Sequence, residues 1–426
     1  MAKIHFKTLG CRLNLAESER MARGFRLAGH EVVTDGKLAD IRVINTCTVT
    51  KNAGDDSRKA ARPLHAEQKI VVTGCHSELH PDEFSSADYV LPIDQKEEIE
   101  ALVKERFGLE GLSLGMDVQK ERQNNVYPLA LSNTRAFVKI QDGCNMRCSF
   151  CLTTVARGVS RSRTAEDIIL EIDTLSNTGC QEAVLTGVHA GSYGLDLDQD
   201  LGWLVERILS ETSIPRLRLS SLEPWNFKSE WIVLWKRFGH RLCRHLHMSL
   251  QSGSNSVLRR MNRHYDDATY KAKIDLIRAA IPDMGFTTDI IVGFPGETEA
   301  EHQETLAFAQ DVAFAGAHIF SYSKRPGTQA AEMPDQIDPQ TKKQRFAEMK
   351  AVIAASEKAF ADRSIGTEQM VLWETVEKSG RLRGLTDHYL RIFTEPSLAQ
   401  PNSLTMTRIQ RWQNEALLGE PCDEQA

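Results

Sequence analysis

The sequence predicts an α/β protein of three domains, and three patterns along its 426 residues support this. Apolar runs typical of strands alternate with helical stretches over residues 1–130 and again over 131–362, which favours parallel sheets. Short alternating runs separated by turn residues fill 363–416, which favours a small all-β domain. We therefore predict a doubly wound parallel α/β domain, a barrel-like domain of six strand–helix units and a small β-barrel or sheet. Residues 417–426 are predicted to form a loose tail.

The composition is that of an ordinary globular protein, with 41% hydrophobic and 26% charged residues. No apolar stretch is long enough to span a membrane, and the N-terminus has no signal-peptide core, so a cytoplasmic location is expected. The nine cysteines then favour metal or catalytic use over disulfides. The net charge of −6 is not that of a generally basic nucleic-acid binder, so any RNA binding would depend on local arginine clusters.

In the first domain, three predicted strands each lead to a cysteine. The strands at 3–9, 41–46 and 69–74 precede Cys11, Cys47 and Cys75. Ligands collect outside the carboxyl ends of parallel strands, so this fold would bring the three thiols together. The pattern favours a three-cysteine metal cluster. The alternative is that the cysteines are small apolar residues filling strand ends.

The central domain opens with a strand at 136–140, and Cys144, Cys148 and Cys151 follow it at a C-x3-C-x2-C spacing. Clustered thiolates on a short loop can hold a cubane iron–sulfur cluster. Three thiolates leave one iron open for a ligand that is not protein. A zinc knuckle or a purely structural cluster is the alternative, although no fourth Cys or His lies nearby to close a tetrahedral zinc site.

This spacing, with Phe150 before the last cysteine, resembles the signature of radical S-adenosylmethionine (SAM) enzymes. The motifs around the three N-terminal cysteines resemble the N-terminal domain of the methylthiotransferases. Further blocks extend the resemblance over nearly the whole chain, and they lie at 245–254, 260–263, 293–298 and 322–328. The resemblance implies a partial (β/α)6 barrel in the centre and a TRAM-like RNA-binding domain at 363–416. One departure is Leu-Thr-Thr at 152–154, where relatives commonly show an isoleucine-proline pair.

The resemblance also implies the cofactors, which are SAM and two 4Fe-4S clusters. The catalytic cluster would be held by Cys144, Cys148 and Cys151, with SAM chelated at its open iron and cleaved to a 5′-deoxyadenosyl radical. An auxiliary cluster would hold the sulfur that is methylated and transferred. Its ligands would be Cys11, Cys47 and Cys75. By the same resemblance, the residues implied in SAM binding are Gly187, Glu223 and Gln251, at or after the ends of predicted strands, and Arg263 in the block at 260–263.

The family divides by substrate into three branches. The sequence motifs at 8–14 and 45–50 most resemble those of the branch that adds a 2-methylthio group to N6-threonylcarbamoyladenosine next to the tRNA anticodon. The alternatives are isopentenyladenosine in tRNA and an aspartate of a ribosomal protein. A non-catalytic iron–sulfur or zinc protein that binds RNA is a further alternative. The implied partners are the tRNA anticodon loop and an external electron donor such as a flavodoxin, with no membrane.

Two groups of residues are candidates for RNA contacts. Arg157, Arg161 and Arg163 follow the central cysteines and would meet phosphates, unless they are solvated or pair with nearby carboxylates. In the C-terminal domain, Tyr389 and Trp412 lie among arginines and would stack on bases. The alternative there is a barrel whose arginines merely keep it soluble.

Overall fold

The computed structural model describes residues 1–110 and 134–422. Its N-terminal unit has a five-stranded sheet in the order β2-β1-β3-β4-β5, and all pairs are parallel. The strands are β1 (Lys3–Thr8), β2 (Glu31–Val32), β3 (Ile41–Thr46), β4 (Lys69–Gly74) and β5 (Tyr89–Val90). The α-helices are α1 (Arg12–Leu27), α2 (Lys51–Ala60), α3 (Cys75–Leu79) and α4 (Ile99–Phe107).

Both faces of this sheet are covered, as a doubly wound domain requires. Successive side chains of a strand point to opposite faces. Accordingly, Val43 and Val71 belong to a core cluster with Phe25 of α1, whereas Ile44 and Val72 belong to a second cluster on the other face. The predicted parallel α/β fold of this region is confirmed. The predicted boundary at residue 130 lies outside the described residues.

The central unit contains all six predicted strands and two short additional ones. Its strands are β6 (Arg135–Asp142), β7 (Arg161–Ser162), β8 (Glu182–Gly187), β9 (Arg216–Leu219), β10 (Ser221–Leu222), β11 (His245–Met248), β12 (Gly285–Val292) and β13 (Gly316–Ser321). Its helices are α5 (Thr153–Arg157), α6 (Ala165–Asn177), α7 (Leu201–Glu211), α8 (Ile232–Phe238), α9 (Asn255–Arg260), α10 (Asp267–Ala280), α11 (Glu299–Val312), α12 (Gln329–Glu332) and α13 (Pro339–Asp362).

These strands form an open barrel in two hydrogen-bonded halves, ordered β7-β6-β8-β9 and β10-β11-β12-β13. The six principal strands run parallel within their halves, and a parallel bridge between Leu217 and Leu242 links the halves. Apolar side chains of the strands, such as Leu185 and Leu217, pack on the helices in one large core. The predicted partial barrel is confirmed.

Side chains on the opposite face of these strands are largely polar. Glu182 is fully buried and accepts hydrogen bonds from Arg216 Nε (2.5 Å) and Arg218 Nε (2.8 Å). Further along, His247 Nε2 lies 3.2 Å from Asp289 Oδ2. The barrel interior is therefore a charged surface and not an apolar core.

The C-terminal unit is a closed five-stranded barrel in the order β14-β15-β16-β18-β17. Its strands are β14 (Glu368–Val376), β15 (Leu382–Thr386), β16 (Arg391–Thr394), β17 (Leu404–Gln413) and β18 (Ala416–Pro421). The prediction of a loose tail from residue 417 is wrong for β18, which pairs with both β16 and β17. The physical reason is its run of apolar residues, since Leu417 is fully buried in the barrel core with Trp373 and Ile392. Residues 423–426 lie outside the described part of the chain.

Within residues 1–110 and 134–422, no helix combines the length and the apolar character needed to cross a membrane.

Candidate active site

The first part of the site is the loop at 144–151, here called the central cysteine loop, which follows β6 as predicted. Backbone hydrogen bonds hold its shape: Cys144 N donates to Gly158 O (3.0 Å) and Cys151 N donates to Cys148 O (3.1 Å). Each of its three sulfurs accepts one N–H, an arrangement that stabilises thiolates. The donors are Met146 N for Cys144 (3.4 Å), Arg263 Nη1 for Cys148 (3.4 Å) and Thr153 N for Cys151 (3.3 Å).

The chemistry of this donor set fits iron. Burial raises the pKa of Cys144 to about 11, and it also raises the pKa of Cys148 against the opposing charge of Arg263. Thiols of this kind become thiolates when a metal binds. Among the described residues, no group of three His, Cys, Asp or Glu side chains lies close enough together to hold a single metal ion. In a cubane cluster, by contrast, each thiolate ligates a separate iron.

Two of the four residues predicted to contact SAM lie together beside this loop. Glu223, which follows β10, forms an ion pair with Arg263, the same residue that donates to Cys148. The guanidinium of Arg263 lies 5.1 Å from the ring centre of Trp225 and 5.3 Å from that of Tyr265, within cation–π range. The pair is therefore held rigidly next to the cluster ligands, and its contact with SAM stays a prediction.

The other two lie at the end of β8 and after β11, which belong to different halves of the barrel. Gly187 ends β8 so close to Gln141 that a Cβ on it would lie 2.9 Å from Gln141 Oε1. Gln251 adopts a left-handed backbone (φ 64°) and hydrogen-bonds to β12 through its own N–H and C=O. Their SAM contacts also stay predictions. We did not predict His189, whose Nδ1 lies 3.8 Å from Cys144 Sγ; the available signal was its position directly after β8.

The second part of the site is formed by Cys11, Cys47 and Cys75, here called the N-terminal cysteines. They follow β1, β3 and β4, which are adjacent in the sheet, so their loops meet at one edge. Gly10 (φ 91°) lets two of these loops meet, because a Cβ there would lie 2.3 Å from Cys47 Sγ. Burial, with the neighbouring thiols of Cys11 and Cys75, raises the pKa of Cys47 to about 11.

Two asparagines of the cysteine motifs tie these loops together. Asn14 Nδ2 donates to Leu9 O (2.8 Å) and to Thr46 O (2.9 Å), the segments that lead to Cys11 and Cys47. Asn45 Nδ2 donates in turn to Asn14 O (2.9 Å). The motif residues beside the cysteines therefore have a structural role in holding the loops.

Arg157 joins the two parts of the site. Its Nε donates to Cys75 Sγ (3.1 Å), and its Nη1 donates to Asp142 Oδ1 (2.9 Å) just before the central cysteine loop. It also binds Glu17, where burial raises the carboxyl pKa but Arg157, Lys96 and Lys139 hold it well below its usual range.

These contacts decide between the two interpretations of the arginines at 157–163. Arg157 is only 3% exposed and fully engaged, so the expectation that it meets RNA phosphates is wrong. Arg163 pairs with Glu171 (2.8 Å), as the alternative expected. Arg161 is exposed, and its RNA contact stays a prediction.

The base-stacking prediction is wrong for Tyr389. Its ring stacks on His245 of the central barrel, with ring centres 4.5 Å apart and planes 16° apart. Its hydroxyl accepts a hydrogen bond from Arg12, and the guanidinium groups of Arg12 and Arg218 lie 5.3 and 5.2 Å from the ring centre. Protein groups thus occupy the surfaces that a base would need. Trp412 is half-buried on β17, and its stacking role stays a prediction.

Two family models match the chain. A model described as the Radical SAM superfamily matches residues 138–309, which include the central cysteine loop. A model described as uncharacterized protein family UPF0004 matches residues 3–92, which include the N-terminal cysteines.

Curated relatives match over nearly the whole length. The threonylcarbamoyladenosine tRNA methylthiotransferase MtaB of Bacillus subtilis (strain 168) is 36% identical over 411 residues, which cover 92% of this chain and 90% of that protein. The chain belongs to the radical SAM methylthiotransferase family. This methylthiotransferase is therefore an enzyme that transfers a sulfur-containing group with SAM and a 4Fe-4S cluster.

Other similarities extend this picture. The Thermotoga maritima protein named threonylcarbamoyladenosine tRNA methylthiotransferase MtaB is also 36% identical, over 92% of this chain and 91% of its own. A tRNA-2-methylthio-N(6)-dimethylallyladenosine synthase of Thermoanaerobacter sp. (strain X514) is 35% identical over 80% of this methylthiotransferase and 76% of its own length. Among solved structures, the radical SAM methyltransferase TsrM from Kitasatospora setae shares the fold, with a TM-score of 0.57, 14% identity and coverage of 78% and 77% of the two chains.

Proposed function

We propose that this methylthiotransferase adds a 2-methylthio group to N6-threonylcarbamoyladenosine in the anticodon loop of tRNA, in the cytoplasm. The proposal is supported by relatives named for that substrate, two of which are 36% identical and align with 92% of the chain, whereas relatives named for dimethylallyladenosine align with 80–89% of it. The sequence motifs at 8–14 and 45–50 also resemble those of the branch that acts on N6-threonylcarbamoyladenosine.

The observation that carries the proposal is the contact between two three-cysteine groups through Arg157. Such an arrangement suits a second 4Fe-4S cluster on Cys11, Cys47 and Cys75, close to the SAM cluster on the central cysteine loop. When bound, SAM and the two clusters supply the hydrogen abstraction and the sulfur. The chain itself supplies the thiolates, the N–H donors to their sulfurs and a buried contact that keeps the two groups together.

The remaining roles follow from position. Arg263 and Glu223 orient SAM beside Cys148, and Gly187 at the end of β8 and Gln251 after β11 complete its binding surface. The exposed Arg161 contacts phosphates of the tRNA, together with the C-terminal barrel. An external reductant of the flavodoxin type delivers the electrons.

Iron and sulfide analysis of anaerobically reconstituted protein tests the cluster assignment. Wild-type protein should hold about eight irons per chain, as two cubane clusters require. Cys47→Ala should lower this to about four and retain SAM cleavage, whereas Cys148→Ala should lower it equally and abolish cleavage. Cys422→Ala is the control and should keep about eight. About four irons in the wild type, or zinc in their place, would contradict the two-cluster assignment.

The substrate is tested with the reconstituted enzyme, SAM, a reductant and two tRNA preparations. One preparation carries N6-threonylcarbamoyladenosine and the other isopentenyladenosine. The proposal expects a methylthio product only from the first. A product only from the second preparation would support the methylthiotransferase activity but contradict the proposed substrate.

A further inference from the structure

Every N–H group of Arg157 has an acceptor within hydrogen-bonding distance, although the side chain is almost completely buried. A guanidinium carries five N–H donors in a fixed planar fork. The five contacts are Nε to Cys75 Sγ (3.1 Å), Nη1 to Glu17 Oε1 (2.7 Å) and Asp142 Oδ1 (2.9 Å), and Nη2 to Asn14 Oδ1 (2.8 Å) and Glu17 Oε2 (3.1 Å). No donor is left for a substrate.

Arg157 is connected to both ends of the central cysteine loop, to one through the chain and to the other through a hydrogen bond. It is the last residue of α5, which begins two residues after Cys151. Its partner Asp142 lies two residues before Cys144, and Asp142 Oδ1 also accepts from Gly143 N (2.8 Å). The guanidinium is therefore tied to the segments on both sides of the loop.

On the other side, Arg157 reaches the segments that carry all three N-terminal cysteines. It contacts Cys75 directly, and through Asn14 it is linked to Leu9 O and Thr46 O. Lys96 completes this network, since its Nζ donates to Glu17 Oε2 (2.5 Å) and to Asn45 Oδ1 (3.0 Å).

We propose that Arg157 is a positioning residue for methylthio transfer. It sets the distance and orientation between the central cysteine loop and the N-terminal cysteines, and its N–H to the Cys75 sulfur tunes the auxiliary cluster. The inference rests on the proposed function, which assigns that cluster to Cys11, Cys47 and Cys75.

The expected electronic effect has a definite sign. Hydrogen bonds to cluster sulfurs are among the protein's means of setting the reduction potential. A buried cation and its N–H donor stabilise the more negative, reduced state, so the arginine raises the potential of the auxiliary cluster. Lysine keeps the charge but cannot reproduce the fork that reaches Cys75, Asp142 and Asn14 together.

A merely structural arginine would stabilise Glu17 and do nothing else. Two variants separate these roles, namely Arg157→Gln and the double variant Arg157→Gln/Glu17→Gln, which removes the carboxylate together with its partner. The matched control is Arg163→Gln, which loses an ion pair with the buried Glu171 and has no contact with a cysteine.

The test is a redox titration of reconstituted enzyme followed by electron paramagnetic resonance. Arg157→Gln should keep about eight irons and show a more negative potential for the auxiliary cluster only. The double variant, in which the lost cation and the lost carboxylate offset each other, should show a smaller shift in the same direction, because only the N–H donor to Cys75 is lost. The methylthio product formed per SAM cleaved should fall roughly tenfold or more. Arg163→Gln should match the wild type in both respects.

An unchanged auxiliary potential in both Arg157 variants would overturn the proposal, as would an equal shift in Arg163→Gln. A fall to about four irons would also overturn it, because Arg157 would then hold the cluster and not position it. Failure of the proposed function would instead appear in the wild-type enzyme. That enzyme would then hold a single cluster or form no methylthio product.

Discussion

At the scale of single residues, the side chains next to the N-terminal cysteines explain how three loops at one edge of a sheet hold their thiols close together. Asn14 is fully buried and satisfies the carbonyls of two cysteine-bearing segments at once. Its side-chain oxygen accepts from Arg157, so the same residue links the loops to the rest of the site.

Replacing Asn14 should therefore damage the N-terminal cluster selectively. Asn14→Ala leaves two carbonyls without their donors, at a cost of about 1–3 kcal/mol for each buried unsatisfied group. We expect iron content to fall from about eight toward about four after reconstitution, with SAM cleavage retained. Asn255→Ala, which removes a hydrogen bond to Asp267 in the central unit, is the control. Equal iron loss in both variants would contradict the role assigned to Asn14.

Arg263 should affect SAM and not the N-terminal cluster. Arg263→Gln removes the ion pair to Glu223 and the charged donor to Cys148, so SAM binding and cleavage should both weaken. Equilibrium binding of SAM to the reconstituted protein measures this, with the exposed Arg259→Gln as the comparison. Wild-type affinity in the Arg263 variant would remove Arg263 and Glu223 from the SAM site.

Both cysteine groups carry local signals in the sequence, because each N-terminal cysteine follows a strand pattern and the central three share a C-x3-C-x2-C spacing in one loop. The sequence mispredicted Arg157 and Tyr389 because their partners are remote. Arg157 lies 140 residues from Glu17, and Tyr389 lies 377 residues from Arg12. The sequence shows that an arginine could bind a phosphate. Only the folded structure shows that it already forms an ion pair with a carboxylate that is remote in the sequence.

At the scale of elements, the N-terminal unit docks on the central one through α1. Arg23 of α1 and Arg163 both bind Glu171 of α6, at 2.5 and 2.8 Å. Burial alone would raise the pKa of Glu171, but Arg163, Arg23 and Arg20 lower it to about 2. The helices are thus joined by a carboxylate that must stay ionised.

This pair predicts a defined acid sensitivity. Because the folded pKa lies below the ordinary value of 4.5, the stabilisation is complete above about pH 4.5 and is lost as the pH falls toward 2. The loss should approach about 3.5 kcal/mol, at about 1.4 kcal/mol per pKa unit. Denaturant midpoints between pH 6 and pH 3, measured on protein without cofactors, should fall less steeply in Glu171→Gln than in the wild type. An equal fall of the midpoint with pH in both proteins would contradict the role assigned to ionised Glu171.

The C-terminal barrel is attached to the central one through the turn that bears Tyr389. Tyr389→Ala removes the stack on His245 and the contacts to Arg12 and Arg218, so the barrel should loosen. Hydrogen exchange in β15 and β16 should accelerate, while Trp412→Ala on the far strand should leave it unchanged. Equal exchange in wild type and Tyr389→Ala would mean that the barrel is held by other contacts.

The elements that were predicted and those that were missed differ in length and pattern. Long apolar runs such as β6 and β12 are recognisable from their composition. The two-residue strands β7 and β10 have no periodicity to detect. The prediction of a tail from residue 417 rests on the general looseness of chain termini and misses the pairing of β18 with β16 and β17. The charged barrel interior was not predicted, since Glu182, Arg216 and Arg218 resemble surface residues until the strands are paired.

At the scale of the whole molecule, the ligand-bearing edge of one parallel sheet meets the loop at the carboxyl end of another. Arg157 contacts Cys75 of the N-terminal unit and Asp142 of the central unit. Arg325 of the central unit donates to Thr48 beside Cys47. Several arginines, such as Arg157, Arg216 and Arg218, are buried in ion pairs and are therefore not available to RNA.

The most direct test of the central claim is mass spectrometry of nucleosides from bulk tRNA of a strain lacking this gene. The account predicts loss of the 2-methylthio form of N6-threonylcarbamoyladenosine and accumulation of the unthiolated form. Wild-type protein should restore the modified nucleoside, and neither Cys47→Ala nor Cys148→Ala should do so. Loss of the isopentenyladenosine derivative instead, or restoration by Cys47→Ala, would contradict the account.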